Sequence, residues 1–169
     1  MELPGFDDIG NLHPGCYKPS ANEFKTRFVD DFNTSSTRVE IFEGYQQYCD
    51  RVVNTGVAIK QWANGSFTTD KEDPGDIDLF NLFDGLAMND TKIIDEVLDL
   101  LDEDPIKTQY HCHSFGVSKY PEEMTELYSH YRKRLNHFLR LWRTDKKDNS
   151  REKGVIEFGV DILGDIGGL

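Results

Sequence analysis

Only three cysteines occur in the 169 residues, Cys16, Cys49 and Cys112. They are odd in number, far apart and in no CxxC pair, which argues against a disulfide framework and a zinc ribbon and fits a reducing compartment. No apolar run approaches the ~18 residues that a membrane span needs. Met1-Glu2-Leu3-Pro4-Gly5 has neither the basic nor the apolar stretch of a secretory leader, so a cytoplasmic protein is expected. Cations are scarce: 19 Lys and Arg face 31 Asp and Glu, a formal net charge of −12. The chain as a whole therefore repels phosphate backbones and anionic membranes, and any nucleic-acid contact must be local. Aromatics, by contrast, make up 12% and hydrophobic residues 37%, a balance that excludes a disordered chain. The length fits one domain with a real core, at the usual ~100–200 residues each.

Residues 1–19 hold Pro4, Gly5, Gly10, Pro14, Gly15 and Pro19, which predicts an extended lead-in pinned by Phe6, Leu12 and Tyr17. Ser20 and Glu23 form a capping-box signature ahead of Phe24, Phe28 and Phe32 at helical spacing. Thr37 and Glu40 repeat it before a helix over 38–54 that stops at Asn54-Thr55-Gly56. Val57 to Trp62 and Asp76 to Phe83 read as two strands of a hairpin with a wide polar loop. Asn89 or Asp90 caps an acid-faced helix expected to end at Asp104-Pro105. A strand over 108–117, a long helix from Pro121 to about Arg143, a charged loop over 145–153, and a last strand before a Gly-rich tail complete the pattern. The expected fold class is α+β, or mixed α/β: a small mixed sheet with helices mainly on one side.

The chemistry sits between residues 62 and 79. On a strand the side-chain period is two, so Asp76 and Asp78 point the same way, with Cα atoms roughly 6.5–7 Å apart. Two adjacent carboxylates repel, and a divalent cation relieves that repulsion; Mg²⁺ favours such hard oxygen ligands together with substrate phosphates. Just upstream, Gly65 lets a backbone N–H approach a phosphate, and the Ser66 hydroxyl can donate to a phosphate oxygen. The bland alternative is an ordinary hairpin turn followed by two acids on a solvated strand face.

Gly65-Ser66, the spacer Phe67 to Gly75 and Asp76-Ile77-Asp78 resemble the signature of the nucleotidyltransferase superfamily that shares a fold with DNA polymerase beta. Asn64-Gly-Ser-Phe, Asp70-Lys71, Pro74-x-Asp76-Ile-Asp78, Tyr110-His-Cys112 and Lys153-Gly-Val-Ile-Glu157 together look like a small uncharacterised bacterial and phage family, nucleotidyltransferase-like, over most of the chain. The resemblance implies a nucleotidyltransferase-like sheet with flanking helices. It also implies that Gly65 and Ser66 hold the phosphates of an NTP and that Asp76 and Asp78 bind Mg²⁺ or Mn²⁺. The α-phosphate would be attacked in line by a hydroxyl of a protein, an RNA or a small molecule, with pyrophosphate leaving. A toxin–antitoxin or phage-defence setting is a further implication, and since 169 residues leave little room for a separate acceptor-binding domain, the acceptor or a protein partner is expected to complete the site.

One departure bears on catalysis. Members of the superfamily usually carry a third carboxylate on a later strand, and 108–117 contains no acid. His111 and His113, alternate residues on one face, are the substitutes there: His113 as a base or metal ligand, against the commoner structural role of such histidines. Glu157 is another candidate. His13, His130 and His137 form no metal-ligand spacing. Lys71, between the motif halves, is either a point charge for the β- and γ-phosphates or a solvated loop lysine. Arg132 to Lys153 holds nine basic and three acidic residues. Such a run guides a polyanionic acceptor such as tRNA or, more ordinarily, pairs with the acidic helix between Asp90 and Asp104. A catalytically degenerate fold serving as an acidic protein-interaction module is the alternative function.

Overall fold

The computed structural model describes residues 3–146 and 148–169. Among them a mixed five-stranded sheet runs in the order β1-β5-β2-β3-β4, in an α+β arrangement. The strands are β1 (Cys16–Tyr17), β2 (Ala58–Asn64), β3 (Ile77–Asp84), β4 (Cys112–Lys119) and β5 (Val155–Gly159). The helices are α1 (Ala21–Lys25), α2 (Arg38–Asn54), α3 (Thr91–Leu100), α4 (Glu103–Tyr110), α5 (Thr125–Trp142) and α6 (Val160–Gly167). The outer pairs β1–β5 and β3–β4 are parallel; β5–β2 and β2–β3 are antiparallel. No helix among the described residues is long and apolar enough to cross a membrane.

The lead-in does not run extended throughout: it folds back in a turn between Phe6 and Leu12, which form an antiparallel bridge. Leu12 is buried, and Phe6 and Tyr17 pack against the core as expected. Ser20 and Glu23 make both bonds of the capping box, and the stripe continues through a π-helical turn, Thr26–Asp30, that keeps Phe24 and Phe28 in the core. At α2 the anticipated box is not formed. The Thr37 hydroxyl donates to the Pro74 carbonyl, and the Ser35 hydroxyl accepts the Thr37 and Arg38 N–H groups in its place.

Three boundaries differ from the sequence reading. Pro105 does not close a helix: it lies in the first turn of α4, where its missing N–H would have no intrahelical partner. Residues 108–110 are consequently helical, and the following strand begins only at Cys112. Pro121 opens a turn, closed by the Met124 N–H on the Pro121 carbonyl, and α5 starts four residues later at Thr125. The Gly-rich tail is the helix α6, because Leu163 and Ile166, one turn apart, are both fully buried.

Strand alternation sorts the core. Ile77, Leu79 and Phe83 face the layer built by α1, α2, α3, α4 and α6, whereas Phe80 and Leu82 face α5. The acidic α3 and the basic α5 thus lie on opposite faces of the sheet, which corrects the expected pairing between them. Glu96 of α3 instead meets Arg51 of α2 at 2.7 Å. Lys147 of the basic run lies outside the described residues.

A buried polar chain crosses the first layer. Tyr45 donates to Gln61 at 2.6 Å, Gln61 to Asn81 at 2.7 Å, and Asn81 to Tyr48 at 2.9 Å and Ser114 at 3.1 Å. Its members come from α2, β2, β3 and β4, and a one-residue slip of any strand would bury them unpaired. The register so fixed aligns Asn64 with Asp78, and Asp78 with His113.

Candidate functional site

Where β2 ends, Asn64 closes onto its neighbours: its side-chain carbonyl accepts the Gly65 N–H at 2.7 Å, and its amide donates to the Trp142 carbonyl at 2.7 Å. Gly65 then takes φ +85°, and a Cβ there would sit 2.2 Å from Asp78 Oδ2. Only glycine lets the turn lie against that carboxylate. Ser66 opens a short 3-10 turn, Ser66–Thr68, and its hydroxyl makes no hydrogen bond among the described residues.

The loop back to β3 is held from inside by Arg38. This residue is 0% exposed. Its guanidinium donates to the carbonyls of Phe28, Phe67, Thr69, Lys71 and Glu72 and stacks 3.7 Å from the Phe32 ring centroid. Burial lowers its pKa to about 10, partly offset by the nearby Glu72, Asp73 and Asp70. Asp73 is pinned by the Ser36 N–H, 2.7 Å away, and by the Ser36 hydroxyl, contacts that hold its carboxyl below the usual range.

Asp76 and Asp78 both border one cavity of about 980 Å³, together with Gly65, Ser66, Lys71 and His113. The structure therefore brings all six sequence-predicted site residues together. The acids are already engaged. Lys107 Nζ lies 2.8 Å from Asp76 Oδ2, and His113 Nδ1 lies 2.9 Å from Asp78 Oδ1. His113 Nε2 meets Glu103 at 3.2 Å. Glu103 and Lys107, four residues apart on α4, thus reach His113 and Asp76 respectively from one helix face. The bond to Asp76 raises the Lys107 pKa.

His111 does not share the strand face with His113. It caps α4 in the left-handed conformation, φ 53°, and its ring lies 3.5 Å from Glu40. Glu157 is also elsewhere: it pairs with Lys60 at 2.7 Å and Lys18 at 3.0 Å and accepts from Trp62 Nε1 at 3.0 Å. Burial pushes its carboxyl up, but the bonds from Lys60 and Lys18 win and leave it below its ordinary value. It does not border the cavity.

The remaining wall comes from both ends of the chain. A tight turn at Asp7–Asn11, closed by the Asp7 N–H on the Asn11 carbonyl, carries Ile9 and Asn11 to the cavity. It is tied to the motif loop by the Asp70 N–H on the Gly10 carbonyl at 2.9 Å. On the other side Asn11 donates to Asp145 at 2.8 Å, and Arg151 grips Asp8 through two nitrogens at 2.6 and 3.2 Å.

Lys146 and Lys153 line the same cavity. Lys153 is only 8% exposed. Burial lowers its pKa, Lys146 adds to the effect, and Asp145 and Asp78 oppose it. Sequence reasoning placed Lys153 in a general basic run and at the head of the Lys153-Gly-Val-Ile-Glu157 segment, without giving it a role in the site. Glu103, Lys107 and Arg38 carried no signal in the sequence, because their roles depend on how α4 and α2 dock.

A family model matches residues 4–159, that of a family of unknown function (DUF6932). No curated protein and no solved structure matches the chain.

Proposed function

We propose, for a chain that belongs to this family and takes no activity from it, metal-dependent transfer of a nucleoside monophosphate from an NTP to a hydroxyl of a protein, an RNA or a small molecule. The observation that carries this reading is the meeting of Asp76, Asp78, Gly65 and Ser66 at one cavity that Lys71 and His113 also border. Its 980 Å³ lies at the upper end of the ~300–1,000 Å³ usual for small-molecule sites.

Among the described residues no group of three or more His, Cys, Asp or Glu side chains is assembled for an ion. Two hard carboxylates alone suit Mg²⁺ or Mn²⁺, which are commonly held by one or two carboxylates with phosphate and water oxygens completing the shell. Asp76 and Asp78 would hold the ion, which supplies charge neutralisation at the phosphates. Gly65 admits the phosphate chain close to the backbone, the Ser66 hydroxyl donates to a phosphate oxygen, and Lys71 adds a point charge. Glu103 meets His113 Nε2 at 3.2 Å; with that carboxylate turned aside, the nitrogen would take the proton of the attacking hydroxyl as that oxygen bonds to the α-phosphorus. The bond from phosphorus to the bridging oxygen breaks, and pyrophosphate leaves. A nucleotidyltransferase-like fold and a toxin–antitoxin or phage-defence setting belong to the same reading. So does a cytoplasmic location, which the three free cysteines support.

A second reading is favoured by the pairing of Asp76 with Lys107 and of Asp78 with His113: a catalytically degenerate domain acting as an acidic interaction module. Melting curves with each of the four NTPs, with and without Mg²⁺ or Mn²⁺, separate the two. Ligand at about 100 times its Kd adds ~2.7 kcal/mol. A metal-dependent rise in Tm that Asp76→Asn/Asp78→Asn abolishes supports the enzyme. The absence of any rise with an intact fold turns the assignment to the module.

A further inference from the structure

Lys153 poses a problem that the acid pair does not solve. Its backbone is locked on both sides, its own N–H on the Arg143 carbonyl at 2.7 Å and the Gly154 N–H on the Leu12 carbonyl at 2.8 Å. The residue is 8% exposed, yet its ammonium has no ion pair and no hydrogen bond among the described residues. Among the described residues only Arg27 Nε is a fully buried side-chain nitrogen or oxygen without a partner, so the Lys153 ammonium, on a largely buried stem, opens on the cavity that the residue lines, where an anion can complete it.

Two further ammonium groups border the same cavity, Lys71 and Lys146, and neither has an ion-pair partner among the described residues. Lys71 comes from the loop before β3, whereas Lys146 and Lys153 come from the loop before β5, so the fold brings the first to the other two. Arg151 also borders the cavity, but Asp8 already holds it. The charged groups facing Lys153 are Asp78 and Asp145, which draw its proton in, and Lys146, which repels it.

We infer that Lys153, with Lys71 and Lys146, forms an anion subsite that binds a polyphosphate chain by charge alone, without a metal ion. A single carboxylate or monoanion would answer only one of the three ammonium groups. A chain of phosphates answers all three, and a primary ammonium suits it as a point charge. The assignment of this chain as the β- and γ-phosphates of the nucleotide, and as pyrophosphate after transfer, rests on the transferase reading. The binding itself does not.

Calorimetric titration of the full chain with inorganic triphosphate in EDTA tests it. The wild type should bind, Lys153→Met should bind at least tenfold more weakly, and Asp76→Asn/Asp78→Asn should bind as tightly as the wild type or more so. Lys153→Met without ligand should melt no lower than the wild type, since the stem stays packed and the ammonium gives up no hydrogen bond or ion pair among the described residues; a structural lysine would give a lower Tm. Lys71→Ala/Lys146→Ala, both at exposed positions, provides a second variant pair that leaves the buried site intact and should also weaken triphosphate. The inference fails if the wild type does not bind triphosphate, if Lys153→Met binds within twofold of it, or if Lys153→Met melts clearly lower. Triphosphate binding that depends on Lys153, in a protein whose melting ignores Mg²⁺ and NTP, would leave the subsite standing and remove the transferase. The converse pattern would remove the subsite alone.

Discussion

The Arg38 guanidinium donates to the Lys71 carbonyl oxygen at 2.6 Å, so a residue at the start of α2 fixes the path of the loop that carries Lys71 to the cavity. Four other carbonyls share the same guanidinium. An arginine is needed here because its planar fork offers five N–H donors in fixed directions, whereas lysine offers three at one point. Removing it leaves buried carbonyls unpaired. Arg38→Met is therefore expected to cost about 3–5 kcal/mol, a fall in Tm of roughly 6–20 °C for a chain of this size. Arg38→Lys should recover only part of it. Thermal melts of the two variants check both statements.

Gly65 answers to a different constraint. Its φ of +85° and the 2.2 Å approach that a Cβ would make to Asp78 penalise any side chain twice. Gly65→Ala should cost about 1–3 kcal/mol and should abolish the metal–nucleotide rise in Tm with both aspartates unchanged. Gly56 has φ +68° but nothing within 4 Å of its Cβ direction. Gly56→Ala should cost only the backbone term, about 1–2 kcal/mol, and keep the rise.

Glu157 sets a pH dependence. Its folded-state pKa is below its ordinary 4.5, so folding favours the carboxylate. Its contribution is complete above pH ~4.5 and is lost as the pH falls through the lower folded value. Glu157→Gln should be less stable than the wild type at pH 7, and the gap should close as the pH is lowered below ~4.5. Urea midpoints at pH 7, 4 and 3 measure it.

Much of this architecture was open to a reader of the sequence wherever a side-chain period and a cap agreed. The Ser20–Glu23 box, the α2 stripe and the alternation of β3 all lie where their patterns put them, and the same alternation put Asp76 and Asp78 at one cavity with Gly65 and Ser66. The failures share a cause. Pro105 and the glycines after Gly159 were read as breakers, although proline is tolerated in a first turn and the buried Leu163 and Ile166 outweigh the glycines of α6. The expected attraction between acidic α3 and basic α5 was read from complementary charge alone. Which face of a sheet a helix covers depends on its apolar stripe and its connections, and these put the two helices on opposite sides.

The turn at Asp7–Asn11 ties two distant stretches of the chain together. Its bonds to Asp145 and Arg151 join residues 134 and 143 positions apart. Contacts of such range carry a large loop-closure cost, which the pairing of β1 with β5, Cys16 opposite Val155, already meets. The cavity therefore depends on residues 7–11 meeting residues 145–151, two stretches that the pairing of β1 with β5 brings close. Cutting the chain before Leu12 would spare most of the core and remove one wall of the site, separating possession of the fold from possession of its chemistry.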